Sequence, residues 1–326
     1  MLEPPMNYTA FLTTLSISLL AGAPAHADTS AAKRLAPDAL GQDGRITLSP
    51  GFSPDGQTMY FAQSECSPIW ECPQYLKRSR LTEDGWSAPE LVPLPQTGRV
   101  DFPSVSPDGK TLLFSWAVPR ARHEGLDVYE DFDLYTLDLT DPDAVPEPLD
   151  EPDINRIRAG SVRTLRYVNN ENAPVLTADG DLYFWTERLD GPGERDIYVA
   201  RAEGHGGFQK AEPLPAPIST DGRDDGSWVS ADGSLMLLSY GDRGGEGGAD
   251  IFVSRREGGA WSEPVNLGPH INTPAAEFAA RLTPDSQSIV FNSDRPVEGR
   301  DDKIYQVWIM PVAGIEALTS ASESAG

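Results

Sequence analysis

The sequence is short of cysteine, histidine and basic residues, and each shortage narrows the classes of protein to consider. Two cysteines and four histidines in 326 residues do not supply the ligands of a cysteine-rich metal module. Lys and Arg number 26 against 50 acidic residues, which gives a formal net charge of −24. A phosphate backbone would be repelled by this charge, so nucleic acid is not expected as a partner.

Long hydrophobic runs and catalytic signatures are scarce as well. No segment after residue 27 is apolar over enough residues to cross a membrane, so no membrane span is expected. No Gly-x-Ser-x-Gly elbow occurs, which leaves a serine hydrolase without a nucleophile. The 30 glycines and 29 prolines are too many turn formers for a mostly helical chain, and they favour an all-β fold.

The N-terminus has the pattern of a secretion signal. An apolar stretch at Phe11–Ala23, "FLTTLSISLLAGA", is too short to span a bilayer, and "AHA" at Ala25–Ala27 offers small residues for signal peptidase. No Lys or Arg precedes the apolar stretch, so translation from Met6 is an alternative start. We expect residues 1–27 to be a signal peptide cleaved near Ala27, leaving a periplasmic or secreted protein.

The two cysteines, Cys66 and Cys72, bracket the five residues "SPIWE". In an oxidising compartment two thiols this close in a loop form a disulfide, which stiffens the loop by about 2–3 kcal/mol. A metal site here would need further ligands, and none lies nearby in the sequence. We therefore predict a structural disulfide.

One turn followed by one strand occurs five times. The copies share a Ser or Thr, an Asp and an apolar strand: "SPDGQTMYF" from Ser53, "SPDGKTLLF" from Ser106, "TADGDLYF" from Thr177, "SADGSLMLL" from Ser230 and "TPDSQSIVF" from Thr283. The intervals between these starts are 53, 71, 53 and 53 residues. A fixed period of this size is typical of propellers and solenoids. The 18 extra residues of the long interval are assigned to a loop within 150–172.

Each repeat predicts four antiparallel strands. The Ser-Pro-Asp-Gly turn closes a hairpin, and the apolar strand after it is covered on both faces, as in a blade stacked between neighbours. We predict a β-propeller of five blades in residues 28–312, or six if the 150–172 insertion conceals a degenerate unit. Leu35–Gly41 would supply the last strand of the final blade beside Ile304–Pro311, and residues 313–326 would form a flexible tail.

The repeat resembles that of a known family. "SPDG" with "YF", then "DIYV", then "WSEPVNLGPHINT" is similar to the WD-like repeats of TolB-type β-propellers. The resemblance implies a propeller that serves as a binding platform, and it does not name the partner. TolB itself has a separate N-terminal domain, whereas 25 residues lie here between the predicted cleavage site and the first turn.

A carboxylate lies five or six residues before four of the five turns. The set is Asp101, Glu171, Asp224 with Asp225, and Glu277. These acids could form an acidic collar at one channel mouth, suited to a cation or a basic peptide. Alternatively they pair with Arg188, Arg243 and Arg295, which follow the second strands of the blades that carry Glu171, Asp224 and Glu277.

Two loops interrupt the repeat, at residues 117–132 and 150–172. The second carries four arginines in an otherwise acidic chain, which makes it a candidate partner surface: Arg156, Arg158, Arg163 and Arg166. Trp86 and Trp261 are expected to pack between blades. For Trp116, Trp185 and Tyr240 packing is again expected, with a stacking platform for a sugar or peptide as the alternative.

These features together favour binding over catalysis. We expect an exported, monomeric binding or scaffold protein of the cell envelope whose partner is an envelope protein or peptide, or else a carbohydrate. The alternative is a glycoside hydrolase that uses axial carboxylates, although acids repeated with the motif are more typical of scaffold. No catalytic residue is assigned and no cofactor is expected, while a bound cation such as calcium is left open.

Overall fold

The structure is a computed structural model, and it describes residues 31–41, 44–67, 69, 72–95, 98–117, 132–149, 153–156, 170–204, 206–297 and 304–319. The helical elements with described bounds are short: α1 (Pro37–Leu40), a 3₁₀ helix (Val312–Gly314) and α2 (Glu316–Thr319). Strands make up 48% of the described residues, so the predicted all-β class is confirmed. Among the described residues no helix has the length and apolarity to span a membrane.

Five antiparallel sheets form the blades of a five-bladed propeller, as predicted. The N-terminal strand β1 is Lys33–Arg34. Blade one contains β2 (Ile46–Phe52), β3 (Thr58–Ser64), β4 (Tyr75–Thr82), β5 (Gly85–Trp86) and β6 (Glu90–Leu91). Blade two contains β7 (Arg99–Val105), β8 (Thr111–Ala117), β9 (Asp133–Asp138) and β10 (Glu147–Pro148).

The remaining three blades follow the same order from the inner to the outer strand. Blade three contains β11 (Glu171–Leu176), β12 (Leu182–Thr186), β13 (Asp196–Ala200) and β14 (Glu212–Pro213). Blade four contains β15 (Asp224–Val229), β16 (Leu235–Tyr240), β17 (Asp250–Glu257), β18 (Ala260–Trp261) and β19 (Val265–Asn266). Blade five contains β20 (Glu277–Leu282), β21 (Ser288–Ser293), β22 (Gln306–Pro311) and β1.

The repeated turn joins the inner strand of each blade to the second strand. In the first copy the Ser53 hydroxyl donates to the Asp55 carboxylate (2.5 Å) and accepts the backbone N–H of Thr58 (2.9 Å). Gly56 closes the turn with a φ of 71° and donates its N–H to the Ser53 carbonyl (2.8 Å). The serine, the aspartate and the glycine therefore each have a separate role, which explains why a Ser or Thr and the Asp recur in all five copies and the glycine in four.

The core lies between the blades. Second strands are buried along almost their whole length, and their side chains pack against the neighbouring blade on each side. One hydrophobic cluster joins Tyr183 and Trp185 of blade three to Met236 and Leu238 of blade four. Apolar side chains that face both ways are what a radial stack of sheets requires, so the prediction from the non-alternating strands is confirmed.

The N-terminal segment closes the ring, as predicted, but with different residues. Strand β1 pairs antiparallel with β22, with Lys33 opposite Ile309 and Arg34 opposite Trp308. Within the predicted strand Leu35–Gly41, only Leu35 extends this pairing, by donating its N–H to the Val307 carbonyl (2.8 Å). The residues after it form α1, because Pro37 and Asp38 favour the first turn of a helix.

Packing continues past residue 312, where the predicted tail begins. Ile315 is buried against blades four and five, and the carbonyls of Ala317 and Leu318 accept hydrogen bonds from Arg255. The ordered structure therefore extends to Thr319, and residues 320–326 lie outside the described residues.

Candidate ligand-binding site at the loop-side mouth of the channel

The inner strands β2, β7, β11, β15 and β20 contact one another in a ring and line the central channel. Their first residues lie at the end where loops join the blades, which we call the loop-side mouth. Their last residues lie at the repeated turns, which we call the turn-side mouth. At this mouth the last residue of β8, Ala117, pairs with the first residue of β7, Arg99, and the cysteines Cys66 and Cys72 lie between β3 and β4.

A β-bulge interrupts every inner strand, a feature that the sequence did not predict. The pairing of inner and second strands shifts in all five blades. In four blades the bulge holds a non-glycine residue with φ between 49° and 55°, namely Ser49, Phe102, Ala173 and Ala279. These residue types carry no signal for a left-handed backbone, so no inspection of the sequence would have located the bulges.

The predicted collar acids belong to two different strand positions. Asp101 and Asp225 lie five residues before their turns, whereas Glu171, Asp224 and Glu277 lie six residues before theirs. Successive side chains of a strand point to opposite faces, so this difference of one residue separates the two groups. Asp101 and Asp225 line cavities in the channel, while the other three acids are fully buried and line none of these cavities.

The three buried acids form the predicted ion pairs. Glu171 pairs with Arg188 (3.2 Å), Asp224 with Arg243 (2.9 Å) and Glu277 with Arg295 (3.2 Å). Each arginine also donates to a backbone carbonyl in the loop that leads into its blade, at Ile154, Ile218 and Ile271. The pairs therefore tie the end of the second strand to that loop, as in the ion-pair alternative to an acidic collar.

The loop-side mouth contains a cavity of about 350 Å³, and a second cavity of about 340 Å³ adjoins it. Both are lined by Phe102, Trp185 and Arg195. The first is also bounded by polar and apolar side chains from blades one to four: Ile69, Arg99, Asp101, Phe132, Asn170, Asn172, Glu187 and Arg223. This volume and mixture of groups are those of a small-ligand site.

Arg195 is the central cation of this mouth. Its guanidinium lies 2.5 Å from both the Glu187 and the Asp225 carboxylates, and it stacks 4.0 Å from the centre of the Trp185 ring. Burial alone would lower the pKa of Arg195, but the two carboxylates outweigh burial and raise it. Arg195 therefore stays charged and rigid, joining blade three to blade four.

Exposed and semi-exposed groups extend this network. Glu187 accepts a hydrogen bond from the Asn170 amide (2.9 Å) and lies 3.9 Å from the Arg223 guanidinium. The Arg223 side chain is 57% exposed, so a ligand can contact it directly. The Arg195 guanidinium, in contrast, is held between two carboxylates. Arg223 is thus an exposed cation at the rim of the mouth.

Two buried polar groups face the first cavity. The Asn172 side chain is 3% exposed, and its carbonyl oxygen has no hydrogen-bond donor among the described residues. Burial raises the pKa of the Asp101 carboxyl, although the N–H of Phe102 (2.8 Å) and the charges of Arg99 and Arg281 act to lower it. The mouth therefore offers an unused acceptor beside a carboxyl that retains its proton more readily than usual.

The loops of the mouth are only partly described. The predicted disulfide between Cys66 and Cys72 is present, with a Cα–Cα distance of 5.9 Å, and it encloses Ile69 of the cavity wall. Arg156 is bound within the fold through Asp153 (3.3 Å) and Asp190 (2.9 Å). The other arginines predicted as a partner surface lie outside the described residues: Arg158, Arg163 and Arg166.

The aromatic side chains near the second-strand ends are packed. Trp116, Trp185 and Tyr240 are each buried, and Trp261 meets Tyr183 across blades four and three in an edge-on contact at 6.4 Å. Packing between blades is therefore confirmed for Trp261. Trp86 contacts Phe52 of its own blade at 6.0 Å. Within the described ranges no group of three or more His, Cys, Asp or Glu side chains is arranged to hold a metal.

Comparisons with known proteins identify the fold but no family. No family model matches the sequence, and no curated protein is similar to it. An α-L-arabinofuranosidase from Lactobacillus brevis has 12% identity and a TM-score of 0.51, with 85% of this chain and 94% of that chain covered. A family 117 glycoside hydrolase from Zobellia galactanivorans has 14% identity and a TM-score of 0.47, covering 85% and 88%.

TolB from Acinetobacter baumannii has 18% identity and a TM-score of 0.47, with 82% of this chain and 52% of that chain covered. This chain thus spans about half the length of that protein. At these identities the likeness shows the propeller fold alone. The TolB-type repeat family stays a prediction.

Proposed function

We propose that this propeller is a binding module of the cell envelope, exported by its N-terminal segment, that recognises its ligand at the loop-side mouth. The observation that carries the proposal is the buried side-chain amide oxygen of Asn172, a residue of the 350 Å³ cavity wall; this oxygen accepts no hydrogen bond from the described residues. A buried polar atom that lacks a partner costs about 1–3 kcal/mol, and a ligand that donates a hydrogen bond recovers this free energy.

The rim supports a peptide or protein ligand. Arg223 is exposed, Arg195 is fixed between carboxylates, and apolar rings of Phe102 and Phe132 line the same cavity. This combination of donors, acceptors and apolar surface fits a peptide segment, whose backbone supplies both donors and acceptors. It also fits a carbohydrate, which remains the second ligand class.

The experiment is site-specific crosslinking in intact cells. A photoreactive residue replaces Arg223 at the mouth or, as the matched control, Arg80, which is exposed on β4. We expect a discrete protein adduct from position 223 that is lost when Asn172→Leu is added, and no such adduct from position 80. Adducts that are equal at both positions, or that survive Asn172→Leu, would contradict the proposal.

Glycoside hydrolysis is the second candidate function, and the environment of the Asp101 carboxyl is the observation that favours it. A buried carboxyl with a raised pKa beside a cavity is what a general acid requires. Aryl glycosides and bacterial or plant polysaccharides are the substrates to screen. Turnover that is abolished by Asp101→Asn, while Asp225→Asn retains it, would replace the binding proposal with catalysis.

A further inference from the structure

The turn-side mouth holds a different cavity, of about 380 Å³. Its wall repeats one apolar residue from each blade, the residue immediately before the turn: Phe52, Val105, Leu176, Val229 and Leu282. Trp228 adds a half-buried indole to this wall. An apolar ring of this size, open at one end, can take a compact apolar molecule.

The polar group that most distinguishes this cavity is the side chain of Arg281. It is 4% exposed, and it forms no ion pair with any carboxylate among the described residues. One Nη donates to the Pro103 carbonyl (3.1 Å), and Nε has no acceptor among the described residues. Burial lowers the pKa of Arg281 to about 10, with the charge of Asp101 acting in the opposite direction.

The fold makes room for this guanidinium. Arg281 belongs to blade five and Pro103 to blade two, so the side chain reaches across the channel. A Cβ on Gly51 of blade one would lie 2.2 Å from the Pro103 carbonyl oxygen and 2.9 Å from an Arg281 Nη. Only glycine fits there. Arg281 therefore lies inside the channel, where it lines the turn-side cavity.

We propose that the turn-side cavity binds a medium-chain fatty acid, with its carboxylate on Arg281 and its alkyl chain against the apolar ring. A buried cation without an anionic partner is unfavourable, and a carboxylate matches the planar donors of a guanidinium. The apolar ring forms part of the wall, beside the polar residues Ser104, Asp232 and Thr283. A carboxylate without an alkyl chain would not contact the apolar ring, and an alkyl chain without a carboxylate would not pair with Arg281.

The test is calorimetric titration of the full chain with decanoate and with decanol. The two ligands share the alkyl chain and differ in charge, so the ratio of their affinities reports the carboxylate contact. We expect decanoate to bind at least tenfold more tightly than decanol. Arg281→Gln should abolish this difference, and Arg281→Lys should retain part of it. Arg256→Gln, on blade four but outside the cavity wall, is the matched control and should bind like wild type.

A second variant guards against misfolding of the arginine variants. Leu176→Asp places an acid in the cavity wall from blade three, at a position that is partly exposed, and it should prevent decanoate binding while the circular dichroism spectrum stays unchanged. Equal affinities for decanoate and decanol, unchanged binding by Arg281→Gln, or binding of a peptide with an apolar C-terminus but not of decanoate would overturn the proposal.

Discussion

Blades three to five differ from blades one and two at one buried position. Six residues before the turn, the last three blades carry Glu171, Asp224 and Glu277, each paired with an arginine. Blade one carries Thr47 there, in a network with Gln63 and Lys77. Blade two carries Val100, which is fully buried.

The comparison shows that the regular parts of the repeat build the scaffold. The ion pairs recur at equal spacing and hold loops in place, while the channel-facing position one residue later carries four different residue types in the five blades: Leu48, Asp101, Asn172, Asp225 and Phe278. The candidate site at the loop-side mouth takes Asp101 and Asn172 from this variable position, and the disulfide loop lies on the same side. Repetition therefore indicates a structural role, and the proposed site lies where the repeat is least regular.

The largest expected effect comes from breaking an ion pair. Glu277→Ala would leave Arg295 buried without its acid and would free the Thr273 and Ser293 hydroxyls that donate to Glu277 (2.7 and 2.6 Å). Removing one partner of a buried pair costs about 3–5 kcal/mol. We expect the free energy of unfolding, measured with urea, to fall by that amount.

The equivalent change in blade one supplies the control. Thr47→Val removes the hydroxyl that donates to the Leu40 carbonyl (2.9 Å), and it should cost about 1 kcal/mol. If both variants lost the same stability, the pairs of blades three to five would be worth no more than an ordinary hydrogen bond, and the contrast between the blades would disappear.

The fold was predictable because its signals are local. Ser, Asp and Gly define the turn through contacts within five residues. The run of apolar residues in the strand that follows indicates that both faces of this strand are buried. The sequence predicted correctly that an N-terminal strand completes the last blade, but it assigned this strand to the wrong residues. Similarity between "LAPDALG" and "EPVNLG" suggested Leu35–Gly41, whereas Pro37 starts a helix, and the pairing residues are Lys33 and Arg34.

The site was less predictable because it depends on register. The sequence analysis grouped Asp101 with Glu171 because both lie shortly before a turn. Asp101 lies five residues before its turn and Glu171 six, so the two side chains lie on opposite faces of their strands. Arg195 of blade three meets Asp225 only once blade four is adjacent. Arg281 looked like an ordinary strand residue, and nothing local indicates that Gly51 makes room for it.

A smaller effect is expected at Asp196, which begins the third strand of blade three and has no equivalent acid in blade one. Burial raises its pKa to about 6, although the Gly193 N–H (3.1 Å) acts to lower it and Asp224 raises it further. A carboxyl whose folded pKa exceeds its unfolded value favours folding when protonated. Its stabilising contribution is therefore present below pH 4 and is lost as the pH rises through 6.

Asp196→Asn should remove this dependence. We expect the variant to be more stable than wild type at pH 7.5, by about 1–2 kcal/mol after allowance for solvent screening, and equal to it near pH 4. Urea unfolding at both pH values measures the difference. The matched change Asp250→Asn in blade four, where burial also raises the pKa, should act in the same direction. A stability difference that does not vary with pH would contradict the assignment to Asp196.

The smallest effect compares the turns of blades five and one. Ser286 occupies the place of Gly56 and has a φ of 56°, in the left-handed region that costs a non-glycine residue about 1–2 kcal/mol. Ser286→Gly should stabilise the protein by about 0.5–1 kcal/mol, because part of the relieved strain is offset by the greater freedom of glycine in the unfolded chain. Gly56→Ser should destabilise it by a similar amount. Opposite shifts in melting temperature would show that the two turns are equivalent, whereas a shift in only one of them would mean that blade five tolerates its serine through contacts that blade one lacks.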